Sequence, residues 1–264
     1  MKIAVLSGTE EIAEIAAGMY ASVLHRKPNA VLGLATGSSP LKTYARLIEM
    51  CRSGSISFRD AKAYLLDEYW GLDPEHPETY RNFIRRVFTS HVDFAPGAVH
   101  GPDGAAQDLR AAAESYEQEI LSSGVIDLQI LGIGADGHIA FNEPGGSLSS
   151  PCHAQVLLRK TRVDNARFFG DDLDAVPTAA ITQGLATIMR AHKIVLIAQG
   201  KNKADAVKRM VERGVSAMCP ASILQFHNDV TVLLDPDAAS GLKLRDHYAA
   251  EWELERQLSS ALSD

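Results

Sequence analysis

Short apolar runs alternate with longer amphipathic stretches along the whole of this chain, and that alternation restricts the fold more than any other feature. Runs of strand length fall at residues 2–6, 30–35, 63–66, 126–132, 194–198 and 230–234. Stretches with helical spacing lie between them at 10–26, 40–51, 105–121, 178–189 and 203–211, and a charged tail from about 241 to 262 also reads as helix. In the first of these helices Ile12, Ile15, Ala16 and Met19 fall on one face. The segments 130–131, 194–197 and 230–234 are continuously apolar, as expected of parallel strands covered on both faces. Strand and helix in alternation predict an α/β fold: a doubly wound, mostly parallel, Rossmann-like sheet with helices on both faces. A chain of 264 residues is long enough to bury one large core of this kind. No repeat, low-complexity segment or Pro-rich linker marks a second domain. One domain is therefore expected over 1–240, with 241–264 as a helical tail of the same domain.

Charge and composition narrow the partners. Hydrophobic residues make up 46% of the chain and charged residues 22%, the balance of an ordinary soluble globular protein. The net charge is −7, with no long basic run. That argues against nucleic acid, whose phosphates demand a concentrated Lys/Arg face. A small phosphorylated metabolite needs only two or three well-placed cations. The first residues, 1–6, are too short and too weakly basic for a signal peptide, and no run approaches the length of about 20 apolar residues that spans a bilayer. Cys51, Cys152 and Cys219 are far apart, form no C-x-x-C pair and suggest neither a zinc site nor a disulfide framework. Three reduced thiols fit a cytoplasmic protein with no membrane partner.

In doubly wound folds ligands sit beyond the carboxyl ends of the strands, so polar clusters there are the candidate site. Leu34-Ala35-Thr36-Gly37-Ser38-Ser39-Pro40 runs from a strand into a helix. Thr36, Gly37 and Ser38 read either as an anion-binding turn at a helix N-terminus or as a plain helix cap. The G-x-x-x-x-G-K-[ST] pattern of a P-loop is absent. Leu66-Asp67-Glu68-Tyr69 places two acids at a strand end, where a partly buried carboxylate can serve as a general base. A cap plus a solvated Glu is the alternative there. Adjacent residues on a strand point opposite ways, so the two acids should not act as a dyad. Gly132, Gly134 and Gly137 match G-x-G-x-x-G after a strand. A dinucleotide fingerprint should open into a long helix, however, and here Pro144 and Gly145-Gly146 stop one. The turn is instead crowded with Asp136, His138 and Glu143, groups suited to proton transfer.

With Thr36–Pro40, Asp67-Glu68-Tyr69 and Asp136-Gly-His-Ile-Ala-Phe-Asn-Glu-Pro144 in view, the chain resembles the glucosamine-6-phosphate deaminase family. Ala166-Arg167-Phe168-Phe169, Val176-Pro177, Thr182 with Gly184, Lys203-Ala204, Pro220-Ala221-Ser222 and Leu224-Gln225 continue the match in the same order. It runs from near the first residue to about 235, leaving only the charged tail without a counterpart. The resemblance implies that the amino-sugar phosphate opens, isomerises from aldose to ketose and loses ammonia to give fructose 6-phosphate, with no metal and no organic cofactor. It implies that Asp67 moves the proton between C2 and C1 and that His138 handles the ring-oxygen proton. Glu143 would orient and charge-tune the imidazole, with Asp136 assisting. Thr36, Gly37, Ser38, Arg167 and Lys203 would cradle the phosphate, and Phe168-Phe169 with the Pro177 region would close over the site.

The resemblance leaves rivals. Galactosamine 6-phosphate would need the same chemistry with a different C4 contact. The 6-phosphogluconolactonases share the fold and an Asp-Gly-His turn, but typically follow it with a Ser-Leu-Phe-Pro-like segment rather than Ile139–Pro144; Asp67 and Glu143 favour the deaminase. Sugar-phosphate-sensing regulators carry a DNA-binding segment before the sensor, whereas the first strand here is expected at Lys2. Allosteric deaminases resemble one another just after the Asn-Glu-Pro turn, where an Arg and a Lys help bind an effector phosphate. His153 and Gln155 stand at those positions, which predicts an enzyme unresponsive to that effector. The resemblance admits both a monomer and a homo-oligomer.

Overall fold

The computed structural model describes residues 1–261, so the last three residues of the expected tail lie outside the described residues. Seven strands form one wholly parallel sheet: β1 (Lys2–Val5), β2 (Val31–Leu34), β3 (Lys62–Leu65), β5 (Val99–His100), β6 (Leu128–Leu131), β9 (Ile194–Ala198) and β10 (Val230–Leu234). Their order across the sheet is β1-β10-β9-β6-β2-β3-β5. β2, β6, β9 and β10 are buried along their whole length, which is why they are mostly apolar, with only Gln129 in β6 and Thr231 in β10 as polar members. Helix α1 (Thr9–Arg26) buries Ile12, Ala13, Ala16, Ala17 and Tyr20, while Ile15 and Met19 sit half-buried at the rim of the core. Helix α2 (Leu41–Arg52) packs beside it. Helix α4 (Leu109–Ser123) starts later than the expected 105, because the Asp108 side chain accepts from the N–H groups of Arg110 and Ala111 and caps it there. A 3₁₀ turn at Lys201–Lys203 leads into α7 (Ala204–Glu212). No described helix is long and apolar enough to cross a membrane.

The expected helix over 178–189 is corrected. Ala179–Thr182 is a strand, β8, and only Leu185–Met189 is helical, as α6. β8 forms the middle of a second, antiparallel sheet of order β4-β8-β7, with β4 (Asp67–Tyr69) and β7 (His153–Val156). The Ala-rich segment has helical propensity, but two hydrogen-bonded neighbours override it. Gly184 ends the strand where a Cβ would come within 2.1 Å of the Ser150 carbonyl oxygen. β3 and β4 are separated by Leu66 alone, so one continuous segment passes from the parallel sheet into the small one. Two helices absent from the sequence reading complete the site's surroundings: α3 (Tyr80–Val87), capped by the Thr79 side chain, and α5 (Arg159–Asn165). A small second core of Tyr69, Phe141, Leu157, Ala166, Val176 and Ala180 holds the two-sheet junction. The tail forms α8 (Arg245–Ala261), which lies against the edge strand β1.

Candidate active site

A cleft of about 300 Å³ opens at the carboxyl ends of β2, β3, β6 and β9. β2 lies between β3 and β6, and the chain winds outward from it in both directions, which leaves a crevice at that switch point. Thr36, Gly37, Ser38, Asp67, His138, Arg167 and Lys203 all line the cleft. Asp136 and Glu143 stand behind His138 rather than on the wall.

One end of the cleft is cationic. After β2 the chain turns through Gly37 at φ +89°, a conformation that side chains disfavour. No side chain caps α2, so Thr36 and Ser38 do not serve as its N-cap. Arg167 lies over the ring of Phe168 at 4.7 Å. Among the described residues neither Arg167 nor Lys203 belongs to an ion pair. Burial chiefly lowers the Lys203 pKa; Asp164 opposes the shift and the Arg167 charge adds to it. Two cations without counter-ions beside a strand-to-helix turn make a site for an anion with several oxygens.

Asp67 and Glu68 have separate surroundings. Glu68 accepts from the N–H groups of Tyr69, Tyr80 and Arg81 at 2.8–2.9 Å, so it anchors the start of α3. The alternative of a cap plus a solvated Glu does not hold, since Glu68 is buried as a helix anchor. Asp67 is buried too, but faces the cleft. Burial pushes its carboxyl well above the usual range and the Glu68 charge adds to this, against a backbone N–H from Phe141.

The Gly-rich turn after β6 carries the imidazole. His138 Nδ1 lies 2.7 Å from Asp136 Oδ1 but 3.9 Å from Glu143 Oε2. The shorter contact is close but not aligned as a ring hydrogen bond. The resemblance implies that Glu143 orients the ring with Asp136 assisting; Asp136 is the nearer of the two carboxylates, and its Oδ1 also accepts from the His138 backbone N–H at 3.1 Å. Glu143 instead accepts from Leu158 N–H at 3.0 Å, which ties the turn to the end of the β7 segment. Partial burial works to raise the Asp136 carboxyl, but the contact with His138 and its charge outweigh it and hold it well below the carboxylate range. The ring rests on Gly134, where a Cβ would stand 2.2 Å from His138 Cε1. Ala140, two residues on, holds φ at +49°, a strained value on the cleft wall. Asp136, His138 and Glu143 offer ligand atoms within 4.8 Å of one another, so a turn for which the resemblance implies no metal does assemble three donors a cation could use.

Other wall residues were not singled out from the sequence: Tyr69, Tyr80, Phe141, Asn165, Gln199 and Asn202. Tyr69 stacks obliquely on Tyr80 and Phe141, and its hydroxyl accepts from Asn165 Nδ2 at 2.9 Å. Phe169 packs edge-on against Tyr69 and flat on His76, so this aromatic covers the cleft beside Arg167. Tyr69 and Phe141 stand inside the motifs that carry the resemblance; the others arrive through the tertiary fold.

The family model for glucosamine-6-phosphate isomerases/6-phosphogluconolactonase matches residues 7–233. The chain belongs to this family. Among the relatives of this family member is a glucosamine-6-phosphate deaminase of Mycolicibacterium smegmatis, 56% identical over 248 residues, covering 94% of this chain and 95% of the relative. A glucosamine-6-phosphate deaminase of Beutenbergia cavernae matches over the same shares of both chains, also at 56%. A solved monomeric glucosamine-6-phosphate deaminase superposes with a TM-score of 0.89 at 43% identity, covering 92% of this chain and 100% of that one. The 6-phosphogluconolactonase of Trypanosoma cruzi superposes with a TM-score of 0.74 at 20% identity, covering 92% and 97%; it shares the fold.

Proposed function

We propose that this family member converts glucosamine 6-phosphate and water to fructose 6-phosphate and ammonia. The observation that carries this reading within a family that also holds lactonases is Asp67: a buried carboxylate of raised pKa in the same cleft as His138 and two unpaired cations. Lactone hydrolysis needs no base for a carbon-bound proton, whereas isomerisation needs one that can both take and return it. The high identity to deaminases over nearly the whole chain agrees with this.

In the proposed sequence Arg167, Lys203 and the Thr36–Ser38 turn hold the phosphate, Arg167 through its fork and Lys203 as a point charge. His138, charge-supported by Asp136 and more weakly by Glu143, passes a proton to the ring oxygen as the C1 hydroxyl loses one and the sugar opens. Asp67 takes the C2 proton as O1 regains the one it lost on opening, which gives the enolamine; Asp67 then returns its proton to C1 as the amino nitrogen gives one up, which leaves an imine at C2. Water adds to that imine and ammonia departs, so atoms balance. A raised pKa suits a base that must release the proton it has taken, and such acid–base help is worth about 10²–10⁴-fold. The free thiols Cys51, Cys152 and Cys219 are in keeping with our placing of the reaction in the cytoplasm.

The test is ammonia release from glucosamine 6-phosphate and galactosamine 6-phosphate beside acid release from 6-phosphogluconolactone. Turnover should be highest with glucosamine 6-phosphate; faster lactone hydrolysis would overturn the reading.

A further inference from the structure

Leu65 closes β3 where the edge of the parallel sheet has already run out. Ala63 N–H donates to the Ala98 carbonyl at 2.8 Å, on the β5 side. Backbone groups alternate sides along a strand, so the Leu65 carbonyl points to that same edge, one step past the last paired residues, Tyr64 and His100. Two side chains serve it instead. Gln183 Nε2 donates at 2.9 Å and the Tyr116 hydroxyl at 2.6 Å. The next residue is held from both sheets: Leu66 N–H donates to Leu34 at 3.2 Å, and Leu66 carbonyl accepts from Gln183 N–H at 2.7 Å. Asp67 follows immediately.

Gln183 also reaches the other half of the site. Its carbonyl accepts from Asn142 Nδ2 at 2.9 Å, and the same amide donates to the Ile139 carbonyl at 3.0 Å. Ile139 and Asn142 pair across the turn that follows His138. Gln183 is 0% exposed and lies off the cleft wall. One buried residue therefore grips the two residues that precede Asp67 and the segment that follows His138.

We infer that Gln183 is a positioning residue that fixes Asp67 relative to the His138 turn. The inference rests on Asp67 acting as the base. Gln183→Met keeps the length and apolar bulk of the side chain but removes the donor to Leu65. Its kcat with glucosamine 6-phosphate should fall at least about tenfold with KM within about twofold, because a displaced base costs rate rather than binding. Gln183→Glu, kept protonated by burial and so still a donor, should hold kcat within about threefold of the parent. Tyr116→Phe removes the second donor and should also lower kcat; it stands in if Gln183→Met does not fold by circular dichroism. A kcat within about twofold of the parent in Gln183→Met, or in Tyr116→Phe when that stands in, overturns the inference. So does an equal loss in Gln183→Glu. Asp67→Asn assayed alongside separates the two readings. If it keeps the parent turnover, the base assignment itself is wrong; if it is inactive beside a fully active Gln183→Met, only the positioning role falls.

Discussion

Burial takes water from Asp67, and the Glu68 charge adds to the cost of ionising it, so its carboxyl is raised well above the ordinary range. The folded state then holds this proton more tightly than the unfolded chain does. Stability from this group is greatest at low pH and is lost as pH rises from the unfolded carboxylate pKa through the raised folded one. Asp67→Asn should therefore raise the melting temperature at neutral pH while cutting turnover at least about 10²-fold. A variant that melts lower than the parent would show that the charge is better accommodated than its surroundings suggest. The same raised pKa places the acid limb of kcat/KM above the usual carboxylate range. The cations obey a different rule, since among the described residues neither has an ion-pair partner until substrate binds. Arg167→Ala or Lys203→Ala should raise KM about ten- to a hundredfold, the worth of one charge-assisted hydrogen bond. Titrating initial rates against substrate checks this, and parental KM in both would place the phosphate elsewhere.

At the scale of elements, the strands β2, β6, β9 and β10 were legible because burial on both faces writes itself as a mostly apolar run, broken only by Gln129 in β6 and Thr231 in β10. The Asp67 and His138 segments stood out as acids and an imidazole among glycines at strand ends, although Glu68 and Glu143 there hold backbone N–H groups. The small sheet was not legible. Ala179–Thr182 reads as helix until β4 and β7 pair with it, and β7 itself is a short edge strand, half-buried or exposed throughout. α3 did carry a signal, a Thr79 cap accepting from Asn82 N–H at 3.3 Å, which an apolar-run search passes over. Gln183 carried none, since its partners Leu65 and Asn142 are distant in sequence. We propose that the tail belongs to the same folding unit, a reading that the packing of α8 supports. Tyr248 and Trp252 pack on the core and Glu255 pairs with Lys2 at 2.7 Å. Ending the chain at Leu242 should lower the melting temperature by at least about 5 °C and promote aggregation through the uncovered β1 face. Scanning fluorimetry and gel filtration read both effects, and an unchanged melting point would make the tail independent.

For the whole molecule, a net charge of −7 leaves Arg167 and Lys203 as a local cationic end in an acidic protein, a distribution suited to a small anion. His153 and Gln155, which stand where an Arg and a Lys would help bind an effector phosphate, are engaged with each other: His153 contacts the Pro151 carbonyl at 2.9 Å and Gln155 Oε1 at 3.2 Å. Neither brings the fixed positive charge of Arg or Lys, and losing such contacts removes about the whole coupling energy usual in allostery. Substrate curves should be hyperbolic and unchanged by millimolar N-acetylglucosamine 6-phosphate; a sigmoidal curve that the effector makes hyperbolic would contradict this. The central claim is that one buried carboxylate carries a proton between two carbons of the sugar. The direct measurement uses glucosamine 6-phosphate labelled with deuterium at C2 and follows the label into fructose 6-phosphate by NMR. The account predicts that part of the label appears at C1, that the remainder is exchanged with solvent, and that Asp67→Asn abolishes the transfer. Product formed by Asp67→Asn at the parent rate, with the label still reaching C1, would contradict it.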